Sequence, residues 1–159
     1  MSFSETIEHA ESVFLDTAPI IYFIEAHPIY GPLVKQLVSA FSEGLITAHS
    51  SVITLAEVLP APLRAKNKKL AGLFADFLKH GKNLDMVPIS AEIAEAAGRL
   101  RARHPALKAF DAMQLAAALH VKAKLSVTND KKLKNVREIH VLVLEDHAVH
   151  PLGNDLQEQ

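Results

Sequence analysis

The chain has 159 residues, of which 49% are hydrophobic and 22% charged, so it favours one folded domain and excludes global disorder. Its formal net charge of −1 gives no overall attraction to nucleic acid, although a local basic patch is compatible with that balance. The absence of cysteine excludes disulfides and thiolate zinc sites. No apolar run reaches transmembrane length and the N-terminus is polar and acidic, which predicts a soluble, cytoplasmic protein that does not act at a membrane.

Short apolar runs alternate along the chain with longer segments of helical spacing. We expect an N-terminal arm at 1–12 and a loose tail at 146–159. Between them, a helical segment precedes each strand after the first. The expected strands are 12–15, 45–48, 85–89, 124–128 and 139–144. This order predicts an α/β fold of three layers, in which helices cover both faces of a parallel sheet of about five strands and 13–145 form one domain.

Four acidic residues end or directly follow apolar runs. They are Asp16 in VFLDT, Glu57 in SVITLAEVL, Asp111 in KAFDAMQLAAAL and Asp130 in SVTND. Asp16 and Asp130 follow the first and fourth expected strands, and ligands bind at the carboxyl ends of parallel strands. We therefore expect these two side chains at the same edge of the sheet.

Each acid also has an ordinary structural interpretation. Asp16 and Asp130 could cap the helical turns that follow them, and the helix dipole favours Asp111 in a first turn. Glu57 could simply face solvent. Together, however, converging carboxylates would repel one another and require a cation. An all-oxygen ligand set favours Mg²⁺ or Mn²⁺ over zinc, and such a site is the equipment for metal-assisted phosphodiester cleavage.

The segments FLDTAPIIYFIE, ITLAEVL, KAFDAMQLAAAL and SVTND resemble those of PIN-domain ribonucleases, most closely the VapC-type toxins of toxin–antitoxin pairs. The resemblance runs from about Val13 to Leu144. It implies that Asp16, Glu57, Asp111 and Asp130 are the catalytic, metal-binding acids. It further implies an RNA substrate, a protein antitoxin as partner and a homodimer. Two features depart from the family pattern, namely the arm at 1–12 and the unmatched region between Ala61 and Asp85.

Neighbouring residues have supporting roles under this interpretation. Thr17 would orient Asp16, Thr128 resembles the family's Ser or Thr before the last acid, and Asn129 could be a turn residue beside it. Lysines next to the acids could bind phosphate without reading sequence, or could be solvated faces of helices. They are Lys108, Lys131, Lys132 and Lys134, with a second basic cluster at Arg64, Lys66, Lys68 and Lys69.

Three other classes of protein are open to comparison. A haloacid-dehalogenase phosphatase needs a second Asp two residues after the first, where this chain has Ala18. A receiver domain needs a pair of acids near its first strand, where this chain has only Asp16. The remaining alternative is a PIN-fold RNA-binding or interaction module without cleavage activity. Such a module would be expected to have lost one of the four acids, and all four are present here.

Overall fold

The computed structural model describes residues 1–149 and contains one five-stranded sheet. All strand pairs are parallel, and the order is β3-β2-β1-β4-β5, so that β1 is central. The strands are β1 (Ser12–Leu15), β2 (Thr47–Ser51), β3 (Leu84–Val87), β4 (Leu125–Thr128) and β5 (Val141–Val143). The predicted three-layer α/β/α architecture with a parallel sheet of about five strands is confirmed.

Helices occupy both faces of this sheet. They are α1 (Phe3–Ala10), α2 (Thr17–Ile24), α3 (Gly31–Ser42), α4 (Val52–Val58), α5 (Pro60–Arg64), α6 (Lys68–His80), α7 (Ala91–Arg103) and α8 (Ala109–His120). Two 3₁₀ turns, Lys131–Asn135 and Leu144–His147, follow β4 and β5. None of the helices within residues 1–149 combines the length and the apolar character needed to cross a membrane.

The central strand divides the apolar core into two halves. Val13 and Leu15 point to a cluster that also contains buried residues of α1, α2, α3, α4 and α6. Phe14, between them, points to the opposite cluster, which α7 and α8 cover. This alternation is the two-residue period of a strand. Because both faces of β1 are buried, its carboxyl end at Asp16 is held firmly in the middle of the sheet edge.

Strand β2 lies two to three positions later than the apolar run that predicted it. The strand covers the polar sequence TAHSS, and Leu45 before it is 60% exposed. The polar side chains of Ser50 and Ser51 are nevertheless fully buried, because their hydroxyls find partners inside the fold: Ser50 Oγ donates to the Leu15 carbonyl oxygen at 2.9 Å. Apolar patterning therefore could not locate this strand.

The segment expected as an N-terminal arm forms helix α1. Ser2 and Glu5 make a capping box at its start, and Phe3 and Ile7 are buried against the core. The capping box satisfies backbone donors, and the two apolar side chains attach the helix to the domain. At the other end of the chain, residues 150–159 of the expected tail lie outside the described residues.

Candidate active site

Asp16 stands at the junction of β1 and α2. Its backbone N–H donates to the Val127 carbonyl oxygen of β4 at 3.0 Å, which continues the ladder between the two strands by one residue. One carboxylate oxygen accepts from the Thr17 backbone N–H at 2.8 Å, and the other accepts from the Thr128 hydroxyl at 2.8 Å. Asp16 is thus both the cap of α2 and a carboxylate fixed by partners on both sides.

Glu57 reaches the same edge from the last turn of α4. Its Oε1 accepts a hydrogen bond from the Thr17 hydroxyl at 3.0 Å. The Thr17 hydroxyl also lies 3.3 Å from that of Thr54, one turn earlier on α4. Thr17 therefore contacts Asp16 through its backbone and Glu57 through its side chain, and it ties the two acids together.

Asp111 and Asp130 come from the other half of the fold. Asp111 lies in the first turn of α8 and is half-buried. Asp130 is exposed at the start of the 3₁₀ turn after β4, where its side chain accepts from the Lys132 backbone N–H at 3.0 Å. The Asp130 backbone N–H donates to the Thr128 hydroxyl, which in turn donates to Asp16. Thr128 therefore links the two aspartates that follow β1 and β4.

Asn129 fixes the loop between these residues. Its side-chain amide donates to the Tyr22 hydroxyl at 3.1 Å, and its amide oxygen accepts from the Glu145 backbone N–H at 2.9 Å. Asn129 thereby connects α2, the β4 loop and the turn after β5. Its role in the structure is to position the loop that carries Asp130.

The four acids influence one another electrostatically. Burial raises the pKa of Asp111, and the negative charges of Asp16, Asp130 and Glu57 raise it further, whereas Lys108 lowers it. Burial also raises the pKa of Asp16 and of Glu57, against the lowering effect of their hydrogen bonds, and each feels one further acid of the group. The fold therefore brings Asp16, Glu57, Asp111 and Asp130, which come from four separate elements, within electrostatic range of one another.

The chemistry of these donors fits a hard divalent cation. All four are carboxylates, and hard cations such as Mg²⁺ prefer oxygen ligands. Neutralisation by a cation would relieve both their burial and their mutual repulsion. Within residues 1–149, however, no three His, Asp or Glu side chains already stand in a group that could hold an ion.

A buried polar network supports Glu57 from below, and sequence reasoning missed it. Ser51 donates to the side-chain oxygen of Gln114, and the Gln114 amide donates to the Thr54 hydroxyl at 2.7 Å. All three side chains are buried, and Thr54 passes the connection to Thr17. The available signal was Gln114 itself, a polar residue three positions after Asp111 in an otherwise apolar helix.

The predicted phosphate-binding lysines fall into two groups. Lys131 and Lys134 form ion pairs with Glu145, at 3.4 Å, and Asp146 of the turn after β5. Lys108 and Lys132, by contrast, line a pocket together with Asp111 and Asp130. The second pair therefore shares a pocket lining with two of the four acids.

Comparisons with known proteins agree with this architecture. The VapBC2 structure from Rickettsia felis, bound to a DNA fragment from their promoter, superposes with a TM-score of 0.69 at 21% identity, over 83% of this chain and 98% of that chain. A toxin–antitoxin complex from Klebsiella pneumoniae gives a TM-score of 0.62 at 21% identity, over 83% and 97%. VapC20 from Mycobacterium tuberculosis, described as a sarcin–ricin loop cleaving toxin, gives 0.65 at 16% identity, over 79% and 95%.

At these identities the structural matches establish a shared fold. No curated protein matches the chain significantly in sequence. The PIN domain family model, however, matches residues 13–139, which span β1 to the residues just before β5 and include all four acids. The resemblance seen in the sequence motifs is confirmed, and the chain belongs to the PIN domain family.

Proposed function

We propose that this protein is a metal-dependent endoribonuclease that cleaves RNA phosphodiester bonds, and that it is the toxin of a toxin–antitoxin pair. The observation that carries the proposal is the mutual repulsion of four carboxylates at one edge of a PIN-domain sheet. Such a cluster is costly unless a cation neutralises it. Divalent cations held by carboxylates are the agents of metal-assisted phosphodiester hydrolysis.

Each acid has a role in this proposal. Asp16, Asp111 and Glu57 would hold Mg²⁺ or Mn²⁺ directly or through water, and Asp130 would complete the site or help to bind a second ion. When bound, the ion supplies Lewis-acid activation of water and neutralises charge at the leaving oxygen. The hydrogen bonds from Thr128 and from the Thr17 backbone keep Asp16 in one orientation, and the Thr17 hydroxyl does the same for Glu57.

The toxin assignment rests on the structural neighbours, and the RNA-binding assignment rests on charge. The Klebsiella pneumoniae neighbour is a toxin–antitoxin complex, and the Mycobacterium tuberculosis neighbour is a toxin that cleaves the sarcin–ricin loop. By analogy we propose a protein antitoxin as the partner of this chain, a homodimer as its assembly and RNA in the cytoplasm as its target. Lys108 and Lys132 would hold the RNA backbone, because lysines beside a cleavage site bind phosphate without reading sequence.

The decisive experiment is a cleavage assay on single-stranded RNA with and without metal. We expect cleavage with Mg²⁺ or Mn²⁺ that stops with chelator. Asp16→Asn and Asp111→Asn should each lower the rate by at least about 100-fold, because each removes a charged ligand from the ion. The matched control is Asp76→Asn on the exposed face of α6, which should cleave like the wild type.

Two outcomes would contradict the proposal. Cleavage that persists in chelator or in both site variants would exclude the metal chemistry. RNA binding without cleavage under either metal would identify an RNA-binding PIN module instead.

The toxin role has its own test, in which expression in a bacterial host should arrest growth and co-expression of a neighbouring small open reading frame should relieve the arrest. Growth arrest without relief would separate the nuclease from the toxin–antitoxin assignment.

A further inference from the structure

A pocket of about 370 Å³ opens next to the acidic site. It lies between the connection from α7 to α8 on one side and the 3₁₀ turn after β4 on the other. Asp111 and Asp130 belong to its lining, whereas Asp16 and Glu57 do not. Its volume falls in the range of about 300–1,000 Å³ that small-molecule sites occupy. The pocket is therefore continuous with the candidate active site and large enough for a ligand of its own.

Part of the pocket wall is apolar and rigid. Pro105 and Leu107 contribute from the α7–α8 connection, and Leu133 and Val136 contribute from the 3₁₀ turn and the residue after it. Leu107, Leu133 and Val136 are also members of the buried cluster beneath α7 and α8. Their positions are thus fixed by the core. They are only 2–8% exposed and form an apolar floor, to which the exposed Pro105 adds apolar surface for a flat ligand.

Four basic side chains line the pocket beside its two acids, namely Arg103, His104, Lys108 and Lys132. Arg103 and His104 both contact the Glu138 carboxylate, at 3.4 and 3.0 Å, so that Glu138 already engages the Arg103 cation. Lys108 and Lys132 are exposed and form no ion pair with any other residue in the described range 1–149. These two ammonium groups are therefore available to an anion that enters the pocket.

We infer that this pocket binds one unpaired nucleotide of the RNA substrate, the nucleotide adjacent to the cleaved phosphate. This inference rests on the proposed function and specifies its substrate class. A nucleotide offers flat apolar faces for the wall and an anionic phosphate for Lys108 and Lys132. Its base edge would face Asn135, whose amide can both donate and accept hydrogen bonds. A base within a duplex remains stacked, so that only a loop, a bulge or a single strand can supply it.

Nucleotide binding can be measured without any cleavage. We would titrate the metal-free protein in chelator with each of the four nucleoside 5′-monophosphates and follow the methyl resonances of Leu107, Leu133 and Val136. Saturable shifts are expected at these methyl groups, whereas inorganic phosphate should leave them in place. Shifts that are absent, or equally large with phosphate, would overturn the inference.

Two tryptophan variants make the test specific. Ala106 is exposed and lines the pocket, so Ala106→Trp should fill it and weaken nucleotide binding by at least about tenfold. Ala94→Trp adds the same side chain to an exposed position of α7 outside the pocket, and it should bind like the wild type. Equal affinities of the two variants would refute the assignment.

Failure of this inference and failure of the proposed function are distinguishable. Asp16→Asn should abolish cleavage yet keep nucleotide binding, because Asp16 lies outside the pocket lining. In the cleavage assay, an abasic residue next to the cut bond should lower kcat/KM by at least about tenfold in the wild type. The same change should have little further effect in Ala106→Trp. Equal sensitivity of both proteins to the abasic residue would contradict the pocket assignment while leaving the nuclease intact.

Discussion

Glu57 is oriented by neutral groups rather than by a cation. The connection runs from Ser51 through Gln114 and Thr54 to Thr17, and only its last member touches Glu57. A neutral network can hold a carboxylate without competing for it, since a lysine in the same place would form an ion pair and reduce its demand for metal. The residues of this network are therefore positioning residues for the candidate metal ligand.

Gln114→Leu should reveal the cost of breaking this network. The substitution removes the Gln114 hydrogen bonds of the buried Ser51 and Thr54 hydroxyls, which retain only the Ile53 N–H and the Thr17 hydroxyl, and this costs about 1–3 kcal/mol of unfolding free energy. Urea denaturation measures the loss. Gln36→Leu is the matched control at an exposed position of α3, where the side chain accepts only a solvent-exposed hydrogen bond from the Ser4 hydroxyl, and it should change stability by less than about 0.5 kcal/mol. Equal losses of unfolding free energy in both variants would mean that the buried network does not stabilise the fold more than an exposed hydrogen bond does.

The two lysine pairs predict different salt dependence of RNA binding. Replacing Lys108 and Lys132 by Ala should weaken binding and flatten the slope of log K against log salt by up to about 1.4, which is about 0.7 for each lost phosphate contact. Replacing Lys131 and Lys134 removes the same net charge, but Glu145 and Asp146 already engage those ammonium groups. A smaller change is expected there, measured by fluorescence anisotropy at several salt concentrations. A larger effect of the second pair would place the RNA on the opposite side of Asp130.

The acids at the strand ends could be predicted from the sequence, but the buried network of Ser51, Gln114 and Thr54 could not. Asp16 and Asp130 each follow an apolar run, and parallel strands place such positions at one edge. Gln114, in contrast, meets Ser51 and Thr54 across 63 and 60 positions of the chain. A contact of that kind depends on how α8 packs against α4 and β2, which no local pattern encodes.

At the scale of elements, apolar runs in the sequence predicted the strands that are made of buried apolar side chains. Strand β4 is buried throughout, and it lies within one residue of the predicted span. Helix α5 has two prolines among its five residues, so helical spacing of apolar residues could not mark it. The structure places both prolines inside the short helix, with Pro60 at its first position, where proline's missing N–H has no helical partner to lose.

A glycine inside α6 and the glycine that directly follows α6 should respond in opposite directions to replacement by alanine. Gly72 lies in the helix interior, and an added Cβ would meet no atom within 4 Å, so Gly72→Ala should raise unfolding free energy by about 0.5–1 kcal/mol. At Gly81, which ends the helix, an added Cβ would collide with the backbone carbonyl oxygen of Phe77. Gly81→Ala should therefore lower unfolding free energy by about 1–3 kcal/mol. Urea midpoints that move in the same direction for both variants would contradict this account.

At the scale of the whole molecule, alternation of strand and helix sufficed to predict the layers but did not give the strand order. A parallel strand that follows a helix can be added to either edge of the sheet, and the sequence does not mark where the chain changes from one edge to the other. In this fold the reversal lies at β1, whose neighbours are β2 and β4. The acids after β1 and β4 are consequently brought together by topology that only the structure supplies.

The acidic site should make the metal-free protein lose stability as pH rises. Because the folded pKa values of Asp16, Glu57 and Asp111 are raised, their favourable contribution is present below the ordinary values of 3.8 for Asp and 4.5 for Glu. It disappears as pH rises through the raised values. Asp16→Asn with Asp111→Asn should therefore be more stable than the wild type at pH 7, and the difference should shrink toward pH 4.

The stability of the wild type should be compared with that of the double variant at each pH, rather than followed in the wild type alone. Exposed acids elsewhere, such as Glu138 and Asp146, have lowered pKa values, and they make stability rise with pH instead of fall. Thermal unfolding at several pH values in chelator measures the difference. Added Mg²⁺ should raise the wild-type midpoint at pH 7 and have little effect on the variant, since only a protein that binds the ion is stabilised by it. A variant less stable than wild type at pH 7 would contradict the repulsion.

The hydrogen bond from Thr128 to Asp16 joins positions 112 residues apart, and this separation governs when the protein can first act. During synthesis at about 5–20 residues per second, β1 leaves the ribosome well before β4 exists, and contacts of such long range form late in folding. A partly made chain therefore possesses Asp16 and Glu57 but no complete site. The enzyme we propose would be harmless to the ribosome that makes it until nearly the whole domain has emerged, which leaves a partner several seconds in which to meet the new chain.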